Sequence, residues 1–258
     1  MVYHLHITNK NYSSWSLRPW LLMRVLGIPF DEVLHALEET GSFRQPQWSA
    51  FSPVARVPCL HVTAHDCEKE PLVLWDSLAI VEHLAEAHSS SISPDDEKNI
   101  YPPARAARAW ARSATAEMHA GFAALRDELG MNVGLRIALP GADSASEALR
   151  ADLRRVGELW TDGLARFGGP FLAGSAFSAA DAFYAPVVLR LQTYLGSAEL
   201  LGGDRERVDG YVRLVMQLEE VRAWVDDAIK ETARDPPHDE DSIARPGRRL
   251  VSDLRAVV

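Results

Sequence analysis

Three serines crowd the stretch NKNYSSWSLRPWLL, Asn9 to Leu22, beside two tryptophans and an Arg-Pro step. Hydroxyls at a helix start have two uses. They cap free N–H groups, or they hold an anion at the positive end of the helix dipole. Pro19 has no N–H to donate, so its place is among the first helical residues, which predicts an N-cap near Trp15 or Ser16. Ser16 serves as the cap in that reading. Ser13 and Ser14 are left in the loop ahead of the helix, facing its positive end, and one cap does not require three serines.

Two further places could supply an exposed backbone or an anion site. Val57-Pro58 stands at the start of an apolar run, and a cis bond there would turn the backbone of Val57 outward as a donor and an acceptor. Asp76-Ser77 opens the next helical pattern; its N–H groups and hydroxyl form a second small anion site, and a plain cap has the same pattern. His61, His65 and Cys67 lack a fourth ligand for a metal, so no metal is expected. Cys59 reads as a small buried apolar residue. His4 and His6 share one face of the first strand and are expected to pack. Trp48 receives no assignment.

The elements that position these residues follow from periodicity. Residues 2–8, VYHLHIT, alternate with period two, and Leu17, Trp20, Leu21 and Val25 repeat at helical spacing up to a capping Gly27. FDEVLHAL reads as a weaker strand, VPCLHV and PLVLW as two strands around a polar turn, and Leu78, Val81, Leu84 and Ala85 as a helix. The order β-α-β, β-β-α makes an α/β layer over residues 1–87. The polar, Ser-rich, Pro-bounded segment 88–103 separates it from a region, 104–233, whose patterns are helical. There Leu149, Leu153, Val156, Trp160, Leu164 and Phe167 form one apolar stripe. Residues 179–195 are apolar nearly all round, with a bend expected near Pro186 and a capping box of Ser178 and Asp181. A last helical pattern runs from Val208 to Ile229. The tail 234–258 either wraps the bundle or stays free of it.

Composition excludes other classes. The 258 residues carry 36 acidic and 27 basic side chains, a net charge of -9 spread along the chain, which argues against nucleic acid as a partner. Two cysteines make no disulfide framework, and no basic leader or apolar span of membrane length is visible. A cytoplasmic protein without membrane contact is expected. The Asn11-Tyr-Ser sequon reads as chance.

Strand, hydroxyl-bearing helix start, Val-Pro and Asp-Ser helix start, followed by a helical region, resemble the cytosolic glutathione transferase superfamily over nearly the whole chain to about Ala233. NYSSWSLRPWLL resembles its serine-type members, and residues 100–132 look like the first helix of the second domain in bacterial relatives. The resemblance implies a thioredoxin-like domain followed by an all-helical bundle, glutathione as co-substrate, a small hydrophobic electrophile as partner, a homodimer and a role in detoxification. It places the thiolate donor on Ser13, five positions ahead of Arg18, with Ser14 as the alternative. It gives Val57 and Pro58 to the cysteinyl part of glutathione, Asp76 and Ser77 to the γ-glutamyl end, and Arg56 to a contact with the peptide. The electrophile would meet Tyr12, Trp15, Met118, His119 and Phe122, and for Met118 and Phe122 a place in the core fits the pattern equally well. A free thiol ionises near pH 8.5, and lowering that by two units takes roughly 2.7 kcal/mol. A hydroxyl donor and a helix start together supply about that much. No cysteine stands in the serine loop for mixed-disulfide chemistry. Glutathione-dependent isomerases, dehalogenases, peroxidases and ether lyases share the pattern, as does a binding or scaffold domain without turnover.

Overall fold

A computed structural model describes residues 1–37, 42, 44–63, 72–88, 99–140 and 145–255. His65, Cys67 and most of the 88–103 segment lie outside the described residues. The first layer runs β1 (Val2–Thr8), α1 (Ser14–Leu26), β2 (Asp31–His35), a 3-10 turn (Pro46–Ala50), β3 (Cys59–Thr63), β4 (Leu72–Trp75) and α2 (Ser77–Ala87). The sheet order is β2-β1-β3-β4, with β1 parallel to β2 and antiparallel to β3. Alternation in β1 sends Tyr3, Leu5 and Ile7 into the core. The other face carries His6, whose Nδ1 lies 2.9 Å from Nε2 of His35 and whose ring stacks on Phe51. His6 is thus packed as expected, whereas His4 is partly exposed and meets Asp31 at the surface.

The second layer is built from α3 (Arg105–Ala120), α4 (Ala123–Glu128), α5 (Glu147–Phe167), α6 (Ala179–Thr193), α7 (Arg205–Gln217) and α8 (Glu219–Lys230). Helix α6 is buried on every side and packs on both α1 and α3, which joins the layers. Its start is the predicted capping box. Asp181, fully buried, accepts from Leu172 N at 3.0 Å, Ser178 N at 2.9 Å and Ser178 Oγ at 3.0 Å.

Several expectations need correction. Helix α1 begins at Ser14, not after Ser16. Its N-cap is Ser13, whose Oγ accepts from Ser16 N, and Pro19 sits well inside the helix. A proline there leaves the carbonyl one turn earlier without its bond, a local loss that a buried, tightly packed helix absorbs. The single helix read over residues 100–132 breaks at Gly121-Phe122, because Phe122 takes a left-handed backbone, φ 55°, and turns its ring into the core. The last pattern is two helices that meet at Leu218, whose extended backbone lets Glu219 and Glu220 open α8.

The second domain is also not purely helical. It holds a small sheet of β5 (Leu135–Ala138), β6 (Tyr194–Leu195) and β7 (Arg249–Asp253) in the order β6-β5-β7. The last strand belongs to the tail, which forms α9 (Pro236–Ala244) and then β7, so the tail packs back onto the molecule. No described helix is long and apolar enough to cross a membrane.

Two measurements check this framework. Asp181→Ala strands three buried donors, so a loss of about 2–4 kcal/mol is expected in urea denaturation. A loss under about 1 kcal/mol would show that the box is not essential to α6. Burial, with His61 and His35 adding to it, lowers His6 to about 4. The folded chain therefore binds that proton less readily than the unfolded one, and stability falls as pH drops from about 6.5 towards 4. In Tm profiles across that range, His6→Gln is expected to flatten the slope.

Candidate functional site

The loop between β1 and α1 is held at its backbone. Carboxylate oxygens of Glu231 accept from Lys10 N at 2.6 Å and from Asn11 N at 3.2 Å, with Asn9 Nδ2 at 3.4 Å. Trp224 Nε1 donates to Lys10 O, Val133 N to Asn11 O, and Asn11 Nδ2 to Asn132 Oδ1. Asn9 O in turn accepts from Tyr12 N and Ser13 N, which curls the chain into the start of α1. Trp48, unassigned from sequence, packs with Tyr12, Leu37 and Ala55 in a small separate core under this loop.

Above the loop opens a cavity of about 990 Å³ between the two layers. Its first wall gathers Ser13 and Ser14, Arg56 to Pro58, and Trp75 to Ser77. Ser13 Oγ accepts from Ser16 N at 3.2 Å and donates to Ser16 Oγ at 2.8 Å. Ser14 Oγ has no partner among the described residues. The Val57-Pro58 bond is cis, and neither backbone polar group of Val57 is hydrogen-bonded among the described residues. Arg56 is exposed at the rim. Asp76 caps α2, its Oδ1 accepting from Leu78 N at 2.8 Å and Ala79 N at 3.3 Å, with its own backbone at φ 86°. Ser77 is buried and its Oγ is unpartnered among the described residues.

The facing wall comes from the second layer. His119 Nε2 lies 3.4 Å from Asp76 Oδ2, and its ring meets Trp15 edge-on at 5.5 Å. Burial lowers the His119 pKa against the pull of Asp76, with Arg18 and Arg126 adding to the lowering. Tyr12 lines the cavity, but its hydroxyl accepts from Asp235 N and Arg255 Nη1 and so faces the tail. Met118 and Phe122 do not reach the cavity. Both are buried in the main core, Met118 on the inner face of α3 and Phe122 turned inward at the break.

Residues missed from sequence complete the lining, among them Arg126, Met131, Arg190 and His238. Arg126 reaches the cavity from α4, beyond the break at Gly121-Phe122, and His238 from α9 in the tail, so no local spacing announced either. The tail approaches closely at Gly134, where a side-chain carbon would lie 2.3 Å from Arg255 Cγ. Cys59 is buried as expected, its thiol pushed up to about 11 by burial, which excludes it as a thiolate at neutral pH. No group of metal-ligating side chains occurs among the described residues.

A mixed-sheet domain with a cis Val-Pro beside a serine-bearing helix start, joined to a helical domain, defines the glutathione transferase fold. The N-terminal domain model of glutathione S-transferases matches residues 12–87 and the C-terminal domain model residues 143–227, and the chain belongs to this family. A glutathione S-transferase-like protein, OpS6, of Beauveria bassiana is 26% identical over 193 residues, 74% of this chain and 80% of the relative. A glutathione transferase homolog from Burkholderia GL BGR1, solved with bound glutathione, superposes with a TM-score of 0.56 at 21% identity, covering 88% of this chain and 98% of that one. FzlA from C. crescentus does so with 0.63 at 18%, covering 94% and 100%.

The loop anchor can be tested directly. Glu231→Ala leaves two backbone N–H groups inside the domain junction without an acceptor, and a loss of about 2–4 kcal/mol is expected. Hydrogen exchange at Lys10 and Asn11 should accelerate with it. Unchanged exchange there would mean that the loop holds itself.

Proposed function

We propose that the chain is a serine-type glutathione transferase that binds glutathione along the first wall of the cavity and joins its sulfur to a small electrophile. The observation that carries this reading is the meeting of Ser13, the free backbone of Val57 and the Asp76-Ser77 helix start on one wall. The solved homolog with bound glutathione supports it through a shared fold.

Each group has a matching task. The N–H and C=O of Val57 pair with the cysteinyl backbone. The start of α2 with Ser77 Oγ receives the γ-glutamyl carboxylate, and the Asp76 carboxylate receives the neighbouring ammonium. Arg56 faces the glycyl carboxylate. The sulfur then lies at the start of α1. Ser13 Oγ already accepts from Ser16 N, which polarises its O–H, and a bound thiolate replaces Ser16 Oγ as the acceptor of that proton. Ser14 offers a second hydroxyl to the same place. The thiolate attacks the electrophilic carbon, a carbon–sulfur bond forms, and the leaving group departs with its electron pair. The serine is a donor throughout and never the nucleophile. A cytoplasmic homodimer in a detoxifying role completes the proposal.

Conjugation assays across pH test the donor. A charge-assisted hydrogen bond of about 1.5–3 kcal/mol corresponds to roughly one to two pH units, so Ser13→Ala should move the rising limb upward by that amount and lower activity at neutral pH. Full activity with an unchanged profile in Ser13→Ala, alongside loss in Ser14→Ala, would reassign the role. Sedimentation at micromolar concentration checks the dimer.

A further inference from the structure

The wall opposite the serines is basic. Arg126 on α4 and Arg190 on α6 both line the cavity, beside Gly130, Met131 and His238. Asp76 is the one acidic side chain on the described lining, and it belongs to the other wall. The chain as a whole carries a net charge of -9, so arginine is concentrated here against the general balance.

No ion pair closes on either arginine among the described residues. Arg190 is buried; its Nε donates to Leu129 O at 2.7 Å and its Nη1 to Pro186 O at 3.1 Å. Those bonds fix the guanidinium plane and leave Nη2 without a partner among the described residues. Arg126 Nη1 donates to Met118 O at 3.2 Å and His119 O at 3.5 Å, and its other nitrogens carry no bond among the described residues. Behind both, Arg18 lies buried between rings, its guanidinium carbon 4.1 Å from the Trp15 centroid and 4.7 Å from that of Phe183. Its Nε and Nη1 are buried and unpartnered among the described residues.

Asp152, which accepts from Leu125 N, draws on Arg126 at a distance, and Asp76, which caps α2, draws on Arg18, but neither forms an ion pair with them among the described residues. Buried charge without a counter-ion is expensive. The strain shows in the titration of the groups. Burial, with Arg190 and Arg126 adding to it, lowers Arg18 to about 9, and burial with Arg126 lowers Arg190 to about 10. An anion in the cavity would relieve all three at once.

We propose that the electrophile this cavity accepts carries a carboxylate, held by Arg126 and Arg190, with its apolar body against Trp15 and Met131. The proposal rests on the glutathione-transferase reading, which assigns the carboxylates of glutathione to the opposite wall. It replaces a merely hydrophobic acceptor by an organic acid. Arg126 and Arg190 are specificity-determining residues in it, and Arg18 contributes positive potential from behind without touching the acid. Two guanidinium groups on one wall suit a planar carboxylate, which accepts an N–H on each oxygen.

Calorimetry with unreactive probes tests it. Wild-type protein saturated with S-methylglutathione is titrated with benzoate and, separately, with methyl benzoate, which has the same ring and no charge. Benzoate is expected to bind more tightly by at least about tenfold, the scale of one charge-assisted hydrogen bond. Arg126→Gln should remove that preference while leaving the affinity for S-methylglutathione within about twofold.

Equal binding of acid and ester by the wild type overturns the proposal, and this arm needs no variant. So does displacement of benzoate by S-methylglutathione, or an Arg126→Gln variant that loses both probes equally, since the arginine would then serve the tripeptide. A chain that prefers benzoate but never binds S-methylglutathione keeps the anion site and refutes the transferase reading instead.

Discussion

One carboxylate, Glu231, holds two successive backbone N–H groups of the loop that carries the serines. A loop of this kind would ordinarily lie on the surface, because its polar backbone needs water. Here Asn9, Lys10 and Asn11 are buried at the junction of the two domains, and substitutes for water come from both: Leu37 N and Glu32 from the first, Glu231, Trp224, Val133 and Asn132 from the second. Lys10 adds to the same contact, its Nζ lying 2.8 Å from Glu32 and 2.7 Å from Asp227. The position of Ser13 therefore depends on α8 as much as on the helix it caps. A loop tied from both sides holds the Ser13 hydroxyl in one place.

The same junction explains why the cavity has two unlike walls. The first is mostly backbone and helix starts, built by one local sequence each: Val57-Pro58, Asp76-Ser77, Ser13-Ser14. The second is made of long side chains, Arg126, His119, Arg190 and His238, that arrive from four separate helices. Long side chains on separate helices can be exchanged without disturbing the first wall. A fold can thus keep one wall of a cavity while the other changes.

Sequence reading succeeded where the determinant was local. Alternation in residues 2–8 specifies a strand, Ser178 and Asp181 specify a helix start, and Val57-Pro58 marks a turn in the backbone, each within a few residues. It failed where the deciding partner is distant. Pro19 argued for a late start of α1, but the bond from Ser16 N to Ser13 Oγ set the start earlier, and burial against α6 carried the proline. The strands β5, β6 and β7 are two to five residues long and pair across more than fifty residues of chain, so no periodicity could announce them. Met118 and Phe122 were placed at the cavity by helical spacing that assumes an unbroken helix. Phe122 breaks it with a backbone conformation uncommon for a bulky residue.

The tail shows how far such a determinant can reach. Arg255 donates to Tyr12 Oη and to both oxygens of Asp239, and Asn132 joins Asp239 to Asn11. This chain of bonds leads from β7 to the residue just before Ser13. It also fixes α9, and with it His238, whose ring meets Tyr12 edge-on at 5.1 Å while its Nε2 lies 2.9 Å from Met131 O. The tail is therefore part of the cavity and part of the support of the serine loop. A substrate that pushes against His238 or Met131 presses on a network that ends at the serine loop, so the shape of the acceptor and the setting of the hydroxyl are mechanically linked through side chains that a reading of residues 9–22 alone could not have found.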